Sequence, residues 1–206
     1  TMSDLQSRRF AVGGSQKAED SPTSKREICQ SSLEPTMDLL FCHGLESGPH
    51  GRKYHAMSDA GLLVRSPDFQ GKTLEERVAL LLAELGEEPL PPIVGSSFGG
   101  LVAVHAAERL AAQERFFPRM LLLAPALHRI EGLGEGASMA AHCETIILHG
   151  VDDEIVPIDA SRRFAALNAK SVRLEELEDD HSLSCSMQRI VAEATKLVAE
   201  AREETK

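Results

Sequence analysis

Two adjacent serines, Ser96 and Ser97, sit between glycines in IVGSSFGGLVAVHAA, the stretch from Ile93 to Ala107. Short β-branched residues precede them and an apolar run follows, which predicts a strand, an abrupt corner and a buried helix. Gly95-Ser96-Ser97-Phe98-Gly99 fits G-x-S-x-G with Ser97 at its centre. A corner of that kind exposes its central side chain, and small residues two positions to either side clear space for the bend. A Gly/Ser-rich turn without chemistry is the plainer reading of the pentapeptide alone. The strand before it and the apolar helix after it favour a presented hydroxyl.

A serine hydroxyl is a weak nucleophile until an oriented base takes its proton. Eight histidines compete for that role. His105 and His128 lie within or beside helix and strand text, and His142 precedes a strand. His181, in LEDDHSL, falls in a polar loop from which a side chain can reach over a sheet. The orienting carboxylate is expected after TIILHG, where Asp152, Asp153 and Glu154 are the candidates. Asp179 and Asp180 lie too close to His181 along the chain and read as a solvated turn. A metal site built from His43, His149, Asp152 and His181 is the rival constellation, but no H-x-H or H-x-x-x-H spacing supports it.

The elements that must position these groups alternate along the chain. Strands are expected at Asp38–Cys42, Leu62–Arg65, a short one ending at Ile93-Val94, Arg119–Leu127, Thr145–Gly150 and Val172–Glu178. Leu74, Val78, Leu81, Leu82 and Leu85 fall at helical spacing, stopped by Gly86 and Pro89. Further helices are expected over Phe98–Glu114, Asp159–Asn168 and Leu183–Glu203. Strands alternating with helices imply an α/β domain of about six mostly parallel strands, with helices on both faces. In such sheets sites lie at the carboxyl ends of strands, which is where His43-Gly44, Ser97, Asp152-Asp153 and His181 fall.

With 206 residues, 42% hydrophobic and 26% charged, the chain reads as one globular domain. A net charge of −10 argues against nucleic acid or an anionic membrane as the main partner. No apolar run approaches the roughly 18 residues of a membrane span. Cys29, Cys42, Cys143 and Cys185 are scattered without a CxxC pair, which predicts reduced thiols and a cytoplasmic location. Residues 1–36 carry no core-forming period and read as a disordered tail, with the domain over 37–206. SRRFAVGG within that tail suggests a twin-arginine export signal, but no apolar segment follows it.

The text from Met37 to Glu200 resembles the α/β-hydrolases, in particular the small cap-less bacterial esterases of the YqiA type. Four motifs carry the resemblance: FCHGLESGPHGRK, VGSSFGG, HGVDDEIVP and DDHSL. Their order along the chain, Ser, then Asp, then His, is that of the hydrolase scaffold. The resemblance selects Asp153 as the acid beside Ser97 and His181. It implies an oxyanion hole from the amides of Leu45 and Phe98, and a substrate-contacting loop of His43, Gly44, Glu46 and Ser47. It further implies an acyl-enzyme mechanism on a small ester or thioester, with no cofactor and no metal. The short connection holding EGLGEGAS leaves no room for a helical cap, so an open site for short acyl groups is expected. His50, Arg52, Lys53 and His55, in LESGPHGRKYH, could recognise an anionic part of a substrate or form a solvated loop. A C–C bond hydrolase would use the same triad, and a non-catalytic binder on this scaffold is the alternative of another class.

Overall fold

Alternating side chains along each strand must bury both faces of a parallel sheet, and the chain satisfies this in two layers. A computed structural model describes residues 38–86, 89–131 and 139–204. The strands are β1 (Leu39–Cys42), β2 (Val64–Arg65), β3 (Ile93–Ser96), β4 (Arg119–Leu123), β5 (Glu144–Gly150) and β6 (Val172–Leu177). All pair in parallel, in the order β2-β1-β3-β4-β5-β6. The helices are α1 (Arg52–Asp59), α2 (Leu74–Glu84), α3 (Phe98–Ala111), α4 (Ile158–Leu167) and α5 (Met187–Glu204). Leu40, Cys42, Ile93, Met120, Leu122 and Ile147 point to the layer of α2, α3 and α4. Leu39, Phe41, Val94, Leu121, Leu123 and Leu148 point to the opposite layer, with Met57 of α1 and Ile190 and Leu197 of α5. The period-2 alternation thus sorts neighbouring residues onto opposite faces.

Local signals account for most element ends. Thr73 caps α2 with a capping box, its hydroxyl accepting from the Glu76 amide while the Glu76 carboxylate accepts from the Thr73 amide. β4 stops at Leu123, short of the expected Leu127, because Ala124 takes a φ of 43° and Pro125 has no amide to continue a ladder. α5 begins at Met187 and not Leu183, because Leu183 adopts a φ of 54° in the turn before it. α1 falls within sequence expected to be a loop. Its text, RKYHAMSD, buries Met57 alone, so packing against α5 and not an apolar stripe holds it.

No separate cap is evident among the described residues. The link from β4 to β5 contains a single 3₁₀ turn, Leu127–Arg129, and residues 132–138 of its Gly-rich stretch lie outside the described residues. The expectations for residues 1–36, Cys29 and the export-like stretch also fall outside them. Cys42, Cys143 and Cys185 are free thiols. Among the described residues no helix is long and apolar enough to cross a membrane.

Two glycines set how closely α3 docks. A Cβ on Gly95 would lie 2.7 Å from the Gly100 Cα, and one on Gly99 would lie 2.0 Å from the Cys42 carbonyl oxygen. Gly95 therefore lets its own strand meet the helix, whereas Gly99 lets that helix meet the end of the neighbouring strand β1. Gly99→Ala is expected to destabilise the protein by about 3 kcal/mol or more in urea unfolding, since backbone must move to admit the methyl group. Gly61→Ala is the control: no heavy atom lies within 4 Å of where its methyl group would sit, and only its φ of +91° opposes a side chain. Its expected cost is about 1–2 kcal/mol.

Candidate active site

The carboxyl ends of β3, β5 and β6 bring three side chains into one hydrogen-bonded chain. Ser97 occupies the corner between β3 and α3 with φ 53° and ψ −119°, a conformation that costs a non-glycine residue about 1–3 kcal/mol. The corner is pinned on both sides. The Ser97 amide donates to the Leu123 carbonyl at 2.8 Å, and the Ser97 carbonyl accepts from Gly100 at 2.9 Å and Ala126 at 3.0 Å. Ser97 Oγ lies 3.0 Å from His181 Nε2, and His181 Nδ1 lies 2.7 Å from Asp153 Oδ2. With Nδ1–H donated to the carboxylate, Nε2 is left as an acceptor facing the serine hydroxyl.

Asp153 is the carboxylate so placed; Asp152 and Glu154 are exposed. The Asp153 side chain has no solvent exposure. Its Oδ1 accepts the amides of Ile155 at 2.9 Å and Val156 at 2.8 Å. Its Oδ2 accepts from His181 and also faces His149 Nε2 at 3.1 Å. His149 is not among the expected triad residues, yet it is fully buried on the same carboxylate. Its Nε2 faces two acceptors, Asp153 and the Val156 carbonyl, so that nitrogen carries the proton, and Nδ1 accepts from the Ser161 hydroxyl at 2.8 Å.

The turn carrying His181 corrects the expectation of a solvated Asp179-Asp180 pair. Asp179 is 7% exposed, and its carboxylate accepts the amides of Asp180 and Ser186. Its carbonyl accepts from Asp152 and lies against Gly150, where a Cβ would come within 2.2 Å. Asp180, which is exposed, holds Ser182 through both amide and hydroxyl. Arg52 and Lys53 clip the turn from α1, donating to Ser184 Oγ and to the Ser182 carbonyl, each at 2.7 Å.

Gly44, Leu45, Glu46 and Ser47 line a cavity of about 430 Å³ together with Ser97, Phe98, Ala126, His128, Arg129, Ile155, Val156 and His181. The Phe98 amide is the first of α3, so the helix itself offers it no acceptor. His43, expected in the substrate loop, does not line this cavity. It is 1% exposed, its Nε2 accepts the Phe69 amide at 2.9 Å and its Nδ1 donates to the Gly44 carbonyl. The loop has a second brace. Arg77 is buried between the Phe69 and Phe98 rings, and its guanidinium donates to the carbonyls of Lys72, Gly44 and Leu45. The sequence did carry a signal for it: Arg77 occupies the buried stripe of α2 between Leu74 and Val78. His43, His149, Asp152 and His181 are not gathered as ligands, and no group of three or more metal-ligating side chains occurs among the described residues.

His43 and His149 give the fold a pH dependence. Burial, the dominant cause, lowers both below the ordinary imidazole value of 6.5; the Gly44 carbonyl offsets part of this for His43, and Val156 and Asp153 do so for His149. Below 6.5 the unfolded chain binds protons that the folded one refuses, so stability falls as pH falls. The unfolding free energy is expected to drop between about pH 7 and pH 5, by up to about 1.4 kcal/mol per pH unit for each histidine. Urea unfolding across that range should show a shallower slope in His43→Gln; an unchanged slope would remove His43 from this account.

No protein-family model matches the sequence, and no curated protein matches it. Solved structures do. A protein from Xanthomonas campestris pv. campestris, described as a hydrolase of the alpha/beta superfamily, superposes with a TM-score of 0.62 at 24% identity. The match covers 79% of this chain and 98% of that one. Est1E from Butyrivibrio proteoclasticus gives 0.64 at 19% identity, over 80% of this chain and 88% of its own. A monoacylglycerol lipase from Paleococcus ferrophilus gives 0.56 at 17%, over 78% and 93%. Six parallel strands in this order, helices on both faces and these superpositions identify the architecture as the α/β-hydrolase fold.

Proposed function

We propose that the chain is a serine hydrolase of carboxylic esters, acting through a Ser97–His181–Asp153 triad and an acyl-enzyme. The observation that carries this reading is the unbroken hydrogen-bonded chain from Ser97 Oγ through His181 to a buried Asp153, at the wall of a cavity. His181 Nε2 takes the Ser97 proton as Oγ attacks the ester carbonyl, then returns it to the leaving alcohol. Asp153 holds the ring in the tautomer that leaves Nε2 free and stabilises the imidazolium. The amides of Phe98 and Leu45 receive the oxyanion, and a donor of this kind is worth roughly 3–4 kcal/mol. Water then repeats the sequence on the acyl-enzyme, with His181 as its base.

Leu45, Phe98, Ala126, Ile155 and Val156 give the cavity an apolar share of its lining, which suits an acyl group. With no separate cap evident among the described residues, the site favours short acyl chains and loose specificity, as in the YqiA-type esterases the sequence resembles. Thioesters fit the same chemistry. Est1E and the monoacylglycerol lipase, which share the fold, lend ester cleavage further support. We place the enzyme in the cytoplasm on its free thiols, with the catalytic domain over 37–206 behind a tail of residues 1–36.

Ser97→Ala is expected to lower kcat on a neutral aryl acetate by a factor on the order of 10⁵ or more. Asp153→Asn should keep the fold, checked by circular dichroism, yet lose roughly 10⁴ in kcat, because the amide favours the wrong His181 tautomer. Asp152→Asn, one residue away and exposed, should stay within about threefold of wild type, as surface changes away from a site do. A crippled Asp152→Asn beside a near-normal Asp153→Asn would overturn the acid assignment.

A further inference from the structure

A second cavity of about 350 Å³ adjoins the first on the side of the His181 turn. The two share Gly44, Ser47, Lys53, Ser96 and Ser182, so a molecule bound at Ser97 can extend from one into the other. Arg52, Lys53 and the hydroxyl-bearing residues Ser47, Ser182 and Ser184 line this second space, and among the described residues no carboxylate does. Glu46 lines only the larger cavity.

In this chain of net charge −10, Arg52, Lys53, Arg77 and Arg129 are among the cations that form no ion pair with the described residues, whereas seven arginines do. Arg65, Arg109, Arg119, Arg162, Arg173, Arg189 and Arg202 each form an ion pair. Arg52 and Lys53 form none among the described residues; their bonds go to a serine hydroxyl and a carbonyl. Asp179 and Asp180 are the acids whose charge reaches Lys53, but both carboxylates are already engaged by amides of the His181 turn. Burial pushes the Lys53 amine down, and Arg52 beside it pushes the same way. An anion bound in this space would offset both costs and accept from the guanidinium and ammonium hydrogens that the bonds to Ser184 and Ser182 leave over.

We propose that this cavity is an oxyanion subsite for the leaving-group half of the substrate, so that the preferred ester carries a carboxylate or phosphate on its alcohol portion. The placement follows from the proposed mechanism, on which this inference rests: His181 must protonate the leaving oxygen, and Lys53 is bonded to the carbonyl of the next residue, Ser182. The acyl group then occupies the larger cavity, which Ile155 and Val156 help to line. The competing account is that Arg52 and Lys53 serve only to clamp the His181 turn.

Acetate release from 4-acetoxybenzoate and 4-acetoxyphenyl phosphate, compared with the neutral methyl 4-acetoxybenzoate, separates these accounts. The wild-type kcat/KM should favour at least one anionic ester by about tenfold or more, the worth of a charge-assisted hydrogen bond, and the better of the two names the anion. Lys53→Met should abolish that preference while Lys53→Arg keeps it. Equal rates on all three esters in wild type, or a Lys53→Met variant slowed alike on all three, would overturn the subsite. Isothermal titration of the Ser97→Ala protein with benzoate and inorganic phosphate reads the site without turnover. Binding there that is lost in Ser97→Ala/Lys53→Met supports the subsite even if no ester is cleaved, a result that would instead refute the hydrolase reading. No binding of either anion counts against the subsite.

Discussion

A carboxylate with no solvent exposure, Asp153, holds the site together. An ion removed from water costs several kcal/mol unless donors replace its hydration. Here four donors do so: two amides of its own loop, the His149 ring and the His181 ring. These donors come from separate stretches at the β5 and β6 ends. Satisfying the charge therefore closes the acid loop, orients His149 against α4 through Ser161 and draws His181 over the sheet. The same requirement explains why the adjoining turn is built so tightly, with Gly150 against the Asp179 carbonyl and the Asp179 carboxylate folded onto two amides.

Opposite this anchor stands a corner under strain. Ser97 keeps an unfavourable backbone conformation because β4 and the Pro125-Ala126 segment hold its amide and carbonyl, while α3 is drawn close by glycines that leave no room for a side chain. The loop after β1 completes the third side. Arg77 and His43 fix its carbonyls from beneath, which leaves its outer residues, Leu45 to Ser47, at the cavity wall. Both braces are buried and polar, and both act on backbone atoms, so the loop is rigid without a regular element of its own.

The groups that could do chemistry were legible because their positions follow from local rules. A strand followed by G-x-S-x-G and an apolar helix predicts the corner, and alternating strands and helices predict the parallel sheet that places His181 and the β5 loop at one end. What the sequence concealed is set by tertiary contacts. Residues Arg52 to Asp59 lack an apolar stripe and become helical only by docking Met57. Asp179 reads as one of two exposed acids until the backbone of its turn encloses it. His43 looks like a substrate residue beside Gly44, yet the Phe69 amide turns its ring inward. Among the three candidate acids, residue type alone does not separate Asp153 from Asp152; the resemblance of the HGVDDEIVP loop selects Asp153, and in the structure Asp153 faces His181 while Asp152 is exposed.

Covalent trapping reads the nucleophile itself. The protein is treated with an alkyl fluorophosphonate, digested, and the modified residue is located by mass spectrometry. A single stoichiometric adduct on Ser97 is expected, with labelling slowed by orders of magnitude in His181→Ala because the hydroxyl loses its base. An unmodified Ser97 in folded protein, or an adduct that forms as fast without His181, would contradict it.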